Sequence, residues 1–574
     1  MRILFLVHTF NSLSQRLFVE LSRDGHELSV EFDIHERISC EAVALFQPDL
    51  ILAPFLKRAI PAQIWQQHFC LIVHPGPPGD RGPSALDWAI LRGLPSWGVT
   101  VLQAEAQLDA GPVWASALFQ MRAARKSSLY RREVTEAAVI AVREAIARVS
   151  AGSGPPPLRL ENTGHGWQPL LEQAQRAVDW IADDTATVLR KIHSADGHPG
   201  LIDMLLDRPC RLFDAHAEQH LSGRPGALIA RRHEAVCRAT RDGAVWIGQL
   251  QWMGESPQSF KRPAVLALGA LAKTLPEIQE LGADAAPRGG DWEIRYEERG
   301  AIGYLHFDFY NGALSTAQCE RLRRAFAQAR ARPTRVIVLM GGSDFWCNGM
   351  HLHCIEAADS PADSSWANIN AIDDLARDIL ITDSHLTIAV LQGNAAAGGV
   401  CLALAADQVL ADRGIVLNPH YRNMGNLHGS EYWSYLLPRR LGAAQAHRLM
   451  SERLPLGAAE AQALGLIDTL AEGEPGCLAA LVERHALDLA QDEHFAQALI
   501  NKRARRAADE QHCALADYRS AELAQMRMNF YGADPSYHIA RHRFVYRTPH
   551  GWTPLHLALH RRVGFATGQR RANA

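Results

Sequence analysis

Short apolar runs alternate with segments of helical spacing along the first 120 residues of the chain. The apolar runs predict strands at residues 3–7, 28–32, 50–55 and 69–73, and the spacing of residues 12–22 predicts a helix. Strands that alternate with helices in this way are typical of an α/β domain with a parallel sheet and helical crossovers. We therefore predict a first α/β domain in this part of the chain.

A connection rich in glycine and proline follows at residues 151–157. Beyond it, the spacing over residues 167–193 predicts a helix, and short segments between Gly-Pro turns, such as residues 244–251, predict strands. These segments indicate a small, mostly β subdomain. Between residues 261 and 290 the periodicity is poor and Gly, Pro and Ala are frequent, so we place the main domain boundary there.

The alternating pattern starts again after residue 292. Strands are predicted at residues 294–297, 302–307, 335–340 and 386–391, and a helix is predicted at residues 317–330. The turn Gly398-Gly399 opens a further helix, and the chain beyond residue 470 has a largely helical pattern. The second half of the chain is thus predicted to hold another α/β core, followed by helices.

The composition of the 574 residues is that of a globular protein, with 47% hydrophobic and 21% charged residues. The formal net charge is only −3, from 59 Lys and Arg against 62 Asp and Glu, so the chain lacks the basic field that attracts nucleic acid or an anionic membrane. The apolar start predicts a strand rather than a signal peptide, and no window approaches the ~20 apolar residues of a membrane span. We expect a cytoplasmic protein with neither nucleic-acid nor membrane partners.

The run His351-Leu352-His353-Cys354 contains residue types that bind metals. On a strand or loop, His351 and His353 would share one side, but no second group of ligands lies nearby in the sequence. We favour local packing and hydrogen bonding for this run, and we predict no metal site.

A histidine lies where the fourth predicted strand meets a rigid loop. His74 is followed by residues 75–84, PGPPGDRGPS, whose prolines and glycines exclude regular structure. Open α/β sheets bind ligands at the carboxyl ends of their strands. Asp109, in the later turn LDAG, can reach the same rim, and a carboxylate beside an imidazole suits proton transfer to an amine or a carbonyl oxygen. His74 and Asp109 are therefore candidate catalytic residues; a structural histidine and an ordinary turn are the alternative.

The order of these motifs resembles the folate-dependent formyltransferases over about residues 1–255. The matching segments are Ile72-Val73-His74, Arg81-Gly82-Pro83, Gly98-Val99-Thr100, Leu108-Asp109-Ala110-Gly111 and, in the trailing β subdomain, Gly223-Arg224-Pro225-Gly226. The resemblance implies that His74 and Asp109 are catalytic, and that Ile72, Arg81 and Gly82 line the substrate site.

One position departs from the formyltransferase pattern. The family's asparagine, which polarises the formyl oxygen, corresponds to Ile72, and an isoleucine side chain has no hydrogen-bond donor. Losing one donor of this kind typically costs ~3 kcal/mol of transition-state stabilisation. The resemblance therefore favours a more reactive acceptor, such as a thiol, over an ordinary amine.

Glycine-containing turns in the second half can bring backbone N–H groups to one oxygen. Gly349-Met350 comes shortly after the strand at residues 335–340, and Gly398-Gly399 begins a predicted helix. Glycine permits a close approach and a helix N-terminus favours negative charge, so the two turns suit an oxyanion hole. The alternative is that the glycines serve only the geometry of strand-to-helix turns.

The order of these turns resembles the crotonase superfamily, the enoyl-CoA hydratases and isomerases, over about residues 292–505. The resemblance implies that the N–H groups of Met350 and Gly398 bind a coenzyme A thioester carbonyl. The residues implied to line the substrate site are Leu314, Gly349, Gly399 and His420.

The two hydratase glutamates correspond to Cys401 and His420, so water addition is not expected. In their place we put Tyr421 and Glu431 at the reacting carbon, with Glu431 as base and Tyr421 as proton donor. A packed phenol and an acid at the start of a helix are the alternatives for these two residues.

The fusion of the two resemblances, with SEYWSYLLPRR at residues 430–440, is similar over the full length to the HypX (HoxX) family of NiFe-hydrogenase maturation proteins. The resemblance implies formyl transfer from 10-formyltetrahydrofolate to coenzyme A, and release of carbon monoxide from formyl-coenzyme A. It also implies small-molecule substrates and the hydrogenase maturation machinery as partners. Two other functions stay open: formylation of an amine or sugar, and a maturation chaperone without catalysis.

The resemblances also name the predicted segments of the chain. We predict a formyltransferase-like domain at residues 1–155, a small β-rich subdomain at 156–262, a linker at 263–290, a crotonase-like domain at 291–505 and a helical extension at 506–574.

Overall fold

The computed structural model describes residues 1–156, 166–254, 259–278, 293–473 and 476–562. The chain forms two compact units, the first of residues 1–207, 211–215 and 549–574, and the second of residues 208–210 and 216–548. This division is coarser than the five predicted segments, whose bounds stay predictions. Both units combine helices with a sheet of largely parallel strands, and the second unit also has an antiparallel sheet, which confirms the predicted α/β class.

The strands are β1 (Arg2–Val7), β2 (Glu27–Phe32), β3 (Leu50–Ala53), β4 (Cys70–His74), β5 (Ser96–Gln103), β6 (Val113–Gln120), β7 (Leu201–Leu205), β8 (Arg208–Glu218), β9 (Leu228–Arg232), β10 (Ala235–Ala239), β11 (Ala244–Trp252), β12 (Arg262–Pro263), β13 (Ile294–Arg299), β14 (Ile302–Phe307), β15 (Val336–Met340), β16 (Phe345–Cys347), β17 (Leu386–Leu391), β18 (Asn394–Ala396), β19 (Gln408–Asp412), β20 (Val416–Asn418), β21 (Leu456–Gly457) and β22 (Thr469–Ala471). The α-helices are α1 (Ser12–Arg23), α2 (Glu36–Phe46), α3 (Ala62–Trp65), α4 (Ala85–Leu91), α5 (Lys126–Leu129), α6 (Thr135–Ser150), α7 (Thr185–Ala195), α8 (Ala264–Leu268), α9 (Thr316–Arg330), α10 (Leu352–Glu356), α11 (Pro361–Leu380), α12 (Gly398–Leu404), α13 (Trp433–Leu441), α14 (Ala443–Glu452), α15 (Ala458–Leu464), α16 (Cys477–Gln491), α17 (Phe495–His512), α18 (Leu515–Tyr531) and α19 (Ser536–Val545).

The first unit is built on a six-stranded sheet with the order β2-β1-β3-β4-β5-β6. Strands β1 to β4 are parallel, as predicted, and β3 is buried along its whole length because both faces of the sheet are covered. Strands β5 and β6 differ from the predicted parallel pattern, since β5 pairs antiparallel with β4 and β6 pairs antiparallel with β5. Residues 104–112 are too few for a helical crossover, so β6 can only turn back beside β5.

The predicted helix over residues 167–193 is wrong for most of its length. The structure has a short 3-10 turn at Gln173–Arg176, and the α-helix begins only at Thr185. The Asp179 carboxylate accepts hydrogen bonds from the N–H groups that follow it, and Asp184 caps α7. Aspartates that bond to nearby backbone N–H groups favour turns and caps over a helix interior, which is why helical spacing misled the prediction.

The second unit begins with the mostly β subdomain that the sequence predicts. Strands β9, β10, β11 and β12 form antiparallel pairs, and α8 packs against β11. The described part of the predicted linker therefore carries β12, α8 and a 3-10 turn at Gly269–Thr274. Residues 279–290 of that linker lie outside the described residues.

The remainder of the second unit contains two further sheets. A six-stranded sheet has the order β13-β14-β15-β17-β19-β22, and a smaller one has the order β16-β18-β20-β21. The parallel pairing of β16 with β18 sets the loops that follow these two strands side by side. The predicted helical region after residue 470 is confirmed as α16 to α19, and no helix in the described ranges is long and apolar enough to cross a membrane.

The end of the described chain covers the edge of the first sheet. Strand β2 is an edge strand, and its Val30 N–H donates to the carbonyl of Leu557 at 3.0 Å. Beside it, the buried Ser29 hydroxyl lies 2.6 Å from Nδ1 of the equally buried His560. Because an uncovered edge strand invites pairing with other chains, this contact protects the sheet as well as holding the segment.

The buried Glu31 carboxylate joins this segment to β2. Its oxygens contact Thr553 Oγ1, His560 Nε2 at 2.9 Å and Arg561 Nε at 2.8 Å. Burial opposes ionisation of Glu31, but the hydrogen bonds from His560, Thr553 and Arg561 outweigh it, and its pKa is lower than usual. The ionised form therefore contributes stability above the ordinary pKa of 4.5, which is lost as the pH falls through the lower, folded-state value.

We expect Glu31→Gln to lower the free energy of unfolding by about 3 kcal/mol at pH 7, because breaking a buried ion pair leaves its partners uncompensated. Urea unfolding at pH 7 and at acidic pH measures the effect, which should shrink as the pH falls. Glu27→Gln, at an exposed position of the same strand, is the control and should change stability little. Equal losses for the two variants would contradict this account of Glu31.

Candidate active sites

The first candidate site forms at the carboxyl end of β4. His74 is the last residue of the strand and pairs with Thr100 of β5. The Thr100 hydroxyl donates to the carbonyl of Gly76 at 2.8 Å, and the Trp97 indole donates to the carbonyl of Pro75 at 2.8 Å. Strand β5 thus fixes the start of the rigid loop that follows His74.

The His74 imidazole lies between two carboxylates. Its Nε2 is 2.9 Å from Asp80 Oδ2, and its Nδ1 is 3.6 Å from Asp109 Oδ2. The structure therefore brings together the two predicted residues His74 and Asp109. The Asp80 side chain is 1% exposed and the Asp109 side chain is 18% exposed, so the imidazole is closed on the Asp80 side and more accessible on the Asp109 side.

Asp80 is a site residue that sequence reasoning missed. It lies six residues after His74 within the Pro/Gly loop, and only the fold of that loop returns its carboxylate to the ring. A Cβ built on Gly76 would lie 2.3 Å from Asp80 Oδ2 and 2.6 Å from His74 Nε2, so only glycine fits beside this pair. The signal in the sequence was the single acidic residue in a loop made mostly of proline and glycine.

Asp109 is held in its turn by the same loop. Its backbone is in the left-handed region, with φ +52°, and its Oδ2 accepts a hydrogen bond from Gly82 N–H at 3.1 Å. Gly82 has φ +112°, and a Cβ there would lie 2.0 Å from the carbonyl oxygen of Gln168. Gly82, predicted to line the substrate site, therefore also positions the Asp109 carboxylate.

Ile72 and Arg81 lie close to this pair. Ile72 is two residues before His74 on β4, so both side chains are on the same face of the sheet. Ile72 thus places only hydrocarbon on the face of the sheet that carries His74. Arg81 is fixed through its backbone, which accepts from Gln168 N–H at 2.8 Å and donates to Gly166 O at 3.3 Å.

The second candidate site forms where the loops after β16 and β18 lie side by side. Leu314 N–H donates to Gly349 O at 2.9 Å, and His351 N–H donates to Leu314 O at 3.1 Å. Leu314 thus forms hydrogen bonds with both residues that flank Met350. In a parallel pairing of this kind, the N–H group of Met350 points away from Leu314. No described residue accepts a hydrogen bond from that N–H group.

The second predicted N–H group belongs to Gly398, the first residue of α12. An N–H group at this position has no acceptor within its own helix, and no described residue supplies one. A Cβ built on Gly349 would lie 3.7 Å from Gly398 N, so the two turns are adjacent. Ala397, just before Gly398, has the strained φ of +50°, and this backbone conformation sets the direction in which α12 begins. The structure therefore brings the predicted oxyanion residues Met350 and Gly398 together.

Gly399 serves packing at the same turn. A Cβ there would lie 2.0 Å from the carbonyl oxygen of Cys347, and the Trp346 indole donates to Gly399 O at 2.9 Å. The His351 ring accepts from Cys354 N–H at 3.2 Å and caps α10, so this run starts a helix and His351 makes the local hydrogen bonding favoured for it.

Tyr421 and Glu431 meet beside these turns. The Tyr421 hydroxyl is 2.8 Å from Glu431 Oε2, 3.0 Å from Ser430 O and 3.5 Å from Cys401 Sγ. Both side chains are buried, and His420 is buried next to Tyr421 in the chain. Burial, followed by the nearby Asp373 charge, raises the pKa of Glu431 well above its ordinary value. Burial likewise raises the pKa of Tyr421, so its proton is strongly held.

The free oxygen of Glu431 faces the oxyanion turn. Its Oε2 is held by the Tyr421 hydroxyl and by Ser430 N–H, at 2.8 and 3.2 Å. A Cβ built on Gly398 would lie 2.0 Å from Oε1, so this oxygen sits directly against the Gly398 Cα. One carboxylate oxygen is therefore anchored, and the other is aimed at the place where the two N–H groups can hold a carbonyl.

Glu431 lies before α13 and not in its first turn, so the helix-start alternative does not describe it. Two buried carboxylates that sequence reasoning missed hold this segment: Asp373 of α11 and Glu522 of α18. Both lie on helix faces that are otherwise largely apolar. An acidic residue at a helix position where an apolar one is expected was the signal that the sequence offered. Burial raises the pKa of Asp373 to about 6 and that of Glu522 to about 7.

Comparison with known protein families matches both halves of the chain. The family described as "Formyl transferase" matches residues 31–146, and "Formyl transferase, C-terminal domain" matches residues 170–264. The family described as "Enoyl-CoA hydratase/isomerase" matches residues 298–542. These matches confirm both predicted resemblances.

Relatives of full length also match. The hydrogenase maturation factor HoxX of Bradyrhizobium diazoefficiens is 54% identical over 98% of this chain and 97% of its own. The crystal structure of HypX from Aquifex aeolicus in complex with tetrahydrofolic acid is 48% identical, with a TM-score of 0.94 over 98% of this chain and 99% of that one. A methionyl-tRNA formyltransferase of Trichlorobacter lovleyi is 24% identical over 40% of this chain and 74% of its own. The chain therefore belongs to the HypX/HoxX family of hydrogenase maturation factors, with a formyltransferase domain followed by an enoyl-CoA hydratase/isomerase-like domain.

Proposed function

We propose that this maturation factor makes carbon monoxide from 10-formyltetrahydrofolate, with formyl-coenzyme A as the intermediate. The observation that carries the proposal is the Glu431 carboxylate, which has one oxygen anchored by Tyr421 and the other against Gly398. A base placed beside an oxyanion hole, without the two hydratase glutamates, suits removal of a formyl hydrogen better than addition of water.

The first step takes place at His74 and Asp109. The bond from formyl carbon to folate N10 breaks, a bond from that carbon to the coenzyme A sulfur forms, and the thiol proton moves to N10. The imidazole carries this proton, because it can accept from the thiol and donate to the leaving nitrogen. The Aquifex aeolicus HypX structure is a complex with tetrahydrofolic acid, which supports a folate as substrate of this chain.

A thiol acceptor also agrees with the side chains at the first site. Ile72 offers no hydrogen bond to a formyl oxygen, so the acceptor must supply more of the reactivity. Thiolates are stronger nucleophiles than amines that carry a proton, which compensates for the missing donor. The product of such a transfer is a thioester, the class of substrate that the enoyl-CoA hydratase/isomerase family binds.

The second step takes place at Glu431 and Tyr421. The N–H groups of Met350 and Gly398 hold the formyl oxygen, Glu431 Oε1 takes the formyl proton, and the carbon–sulfur bond breaks to leave carbon monoxide and a thiolate. Tyr421 donates its proton to that thiolate, and rotation of the protonated Glu431 carboxyl group then returns the formyl proton to Tyr421, whose hydroxyl lies 2.8 Å from Oε2. The site returns to its starting state and free coenzyme A is regenerated.

The proposal is tested by incubating the purified chain with 10-formyltetrahydrofolate and coenzyme A, and trapping carbon monoxide on reduced haem. We expect one carbon monoxide for each tetrahydrofolate formed, and no product when coenzyme A is left out. Carbon monoxide without any need for coenzyme A would contradict the thioester intermediate. Formyl found on an added amine or sugar would support the alternative formyltransferase, and no turnover under any condition would support the chaperone.

A further inference from the structure

The Glu431 carboxylate is carried by an unusual piece of backbone. Glu431 and Tyr432 both adopt the left-handed conformation, with φ of +60° and +59°. Residues with a Cβ lose roughly 1–2 kcal/mol each in this region, so two in succession persist only where neighbouring groups hold them. The groups that hold these two residues therefore decide where the Glu431 side chain points.

Asp373 holds the first of the two strained residues. From the middle of α11, its Oδ1 accepts from Glu431 N–H at 2.8 Å, and its Oδ2 accepts from the Ser430 hydroxyl at 2.9 Å. The Asp373 side chain is fully buried, and Arg519 Nε approaches Oδ2 at 3.6 Å. Both oxygens of a buried carboxylate are thus used on the segment that carries Glu431.

Glu522 holds the second strained residue from another helix. Its Oε2 accepts from Tyr432 N–H at 2.9 Å, and its Oε1 accepts from Ser434 N–H at 2.8 Å. The two carboxylates, one on α11 and one on α18, therefore accept hydrogen bonds from the N–H groups of adjacent residues. Asp373 is the one that bonds directly to Glu431, so it has the greater influence on that side chain.

Charged and titratable groups face Glu431 from every side. They are the Tyr421 phenol, the thiols of Cys319, Cys347 and Cys401, the carboxyls of Asp373 and Glu522, and the Arg519 guanidinium beside Asp373. Arg519 contacts Asp373 and also pairs with Asp374 Oδ1 at 2.6 Å, so its charge is divided between these two carboxylates. A negative Asp373 opposes the ionisation of Glu431, so the two groups are electrostatically coupled as well as hydrogen-bonded.

We propose that Asp373 is a positioning residue that fixes Glu431 against Gly398 and sets the pH range in which Glu431 can accept a proton. The catalytic part of this inference rests on the proposed function, because it takes Glu431 as the base. Asp373 itself touches no reacting atom and acts only through the peptide and the charge of its neighbour.

Asp373→Asn removes the negative charge and keeps an acceptor for Glu431 N–H, while the Ser430 hydroxyl has to turn and accept from the new amide group. The amide oxygen can still accept from Glu431 N–H, but the negative charge is gone. Glu431 then ionises more readily, and we expect the acidic limb of the pH profile for carbon monoxide release to move about one pH unit lower. The KM for formyl-coenzyme A should stay unchanged, since Asp373 does not contact the substrate.

Asp373→Ala removes the hydrogen bonds as well. We expect kcat for carbon monoxide release to fall about 100-fold, because a reacting group displaced by 1 Å loses a factor of this size. Asp378→Asn, on the same helix and paired with Arg323, is the matched control and should alter neither kcat nor the pH limb. If Asp373→Ala behaves like this control, the positioning role is wrong.

Direct titration of Glu431 keeps this test independent of the proposed function. The substrate-free protein is labelled with 13C-glutamate, the carboxyl signal of Glu431 is assigned by its loss in Glu431→Gln, and its midpoint is compared with that in Asp373→Asn. A lower midpoint in the variant supports the inference even if the wild-type chain releases no carbon monoxide. Equal midpoints overturn it even if the wild type does release carbon monoxide.

A second variant covers the case in which the Asp373 variants do not fold. Ser430→Ala removes the hydroxyl that donates to Asp373 but keeps every backbone contact. Losing one hydrogen bond to a buried carboxylate is worth a factor of about ten, so kcat should fall about tenfold at unchanged KM. An unchanged kcat would overturn the positioning role of Asp373.

Discussion

Glu431→Gln is expected to stop carbon monoxide release while formyl-coenzyme A accumulates. Glutamine has the same shape, so it still fits against Gly398 and its amide oxygen can still accept from Tyr421. It cannot take up a proton, and losing a general base typically costs a factor of about 10² to 10⁴ in rate. The fall in kcat should lie in that range, with little change in the KM for formyl-coenzyme A.

The two products of Glu431→Gln are measured in one reaction. Carbon monoxide is trapped on reduced haem, and formyl-coenzyme A is followed by chromatography after quenching. Glu452→Gln is the matched control, because Glu452 is exposed on α14 and pairs with Arg448 in its own helix. Carbon monoxide release that is unchanged in Glu431→Gln would refute the role of Glu431 as base.

His74→Gln should abolish formyl transfer and leave the second reaction intact. The glutamine amide can reach only one of the two carboxylates beside His74 and cannot carry a proton between two reactants. We expect tetrahydrofolate formation to fall by a factor of about 10² to 10⁴, the range typical of a lost acid–base group. Carbon monoxide release from added formyl-coenzyme A should continue at the wild-type rate.

Comparing the two substrates separates a local effect from misfolding. His68→Gln lies just before the same strand and is the control that should keep both activities. If His74→Gln loses release from added formyl-coenzyme A as well, the substitution has damaged more than the first site. If it keeps formyl transfer, His74 is a structural residue and the first-site mechanism is wrong.

The local pattern of the sequence was enough to predict the strand that ends at His74 and the longer strands of the second α/β core, but not the short strands β16 and β18 that carry the second site. Residues 69–73 and 386–391 are uninterrupted apolar runs, and the structure has β4 and β17 there. A fully buried strand is recognisable because all its side chains lie in an apolar environment, so its residues form a continuous apolar run. The same pattern failed at residues 167–184, where aspartates bond to the nearby backbone and replace the predicted helix with turns.

Motif order predicted which residues meet at each site. His74 and Asp109 lie beside each other at the loop that follows β4, and Met350 and Gly398 lie on adjacent turns. The two family resemblances implied both arrangements. Their roles in catalysis stay predictions. What the motifs did not assign is the set of acids that support these residues: Asp80 lies inside the Pro/Gly loop with no role given to it, and Asp373 and Glu522 lie on helices far along the chain.

By itself, the sequence determined the α/β class, the order of the two resemblances and the residues on the ends of the strands. Only the tertiary structure decided that Asp80 closes one side of His74. It also decided that Asp373 and Glu522 accept hydrogen bonds from the backbone at Glu431. The physical reason is the range of the interactions. Periodicity and turn chemistry act over a few neighbouring residues, whereas a buried carboxylate is satisfied by whichever distant N–H group the packing of helices brings to it.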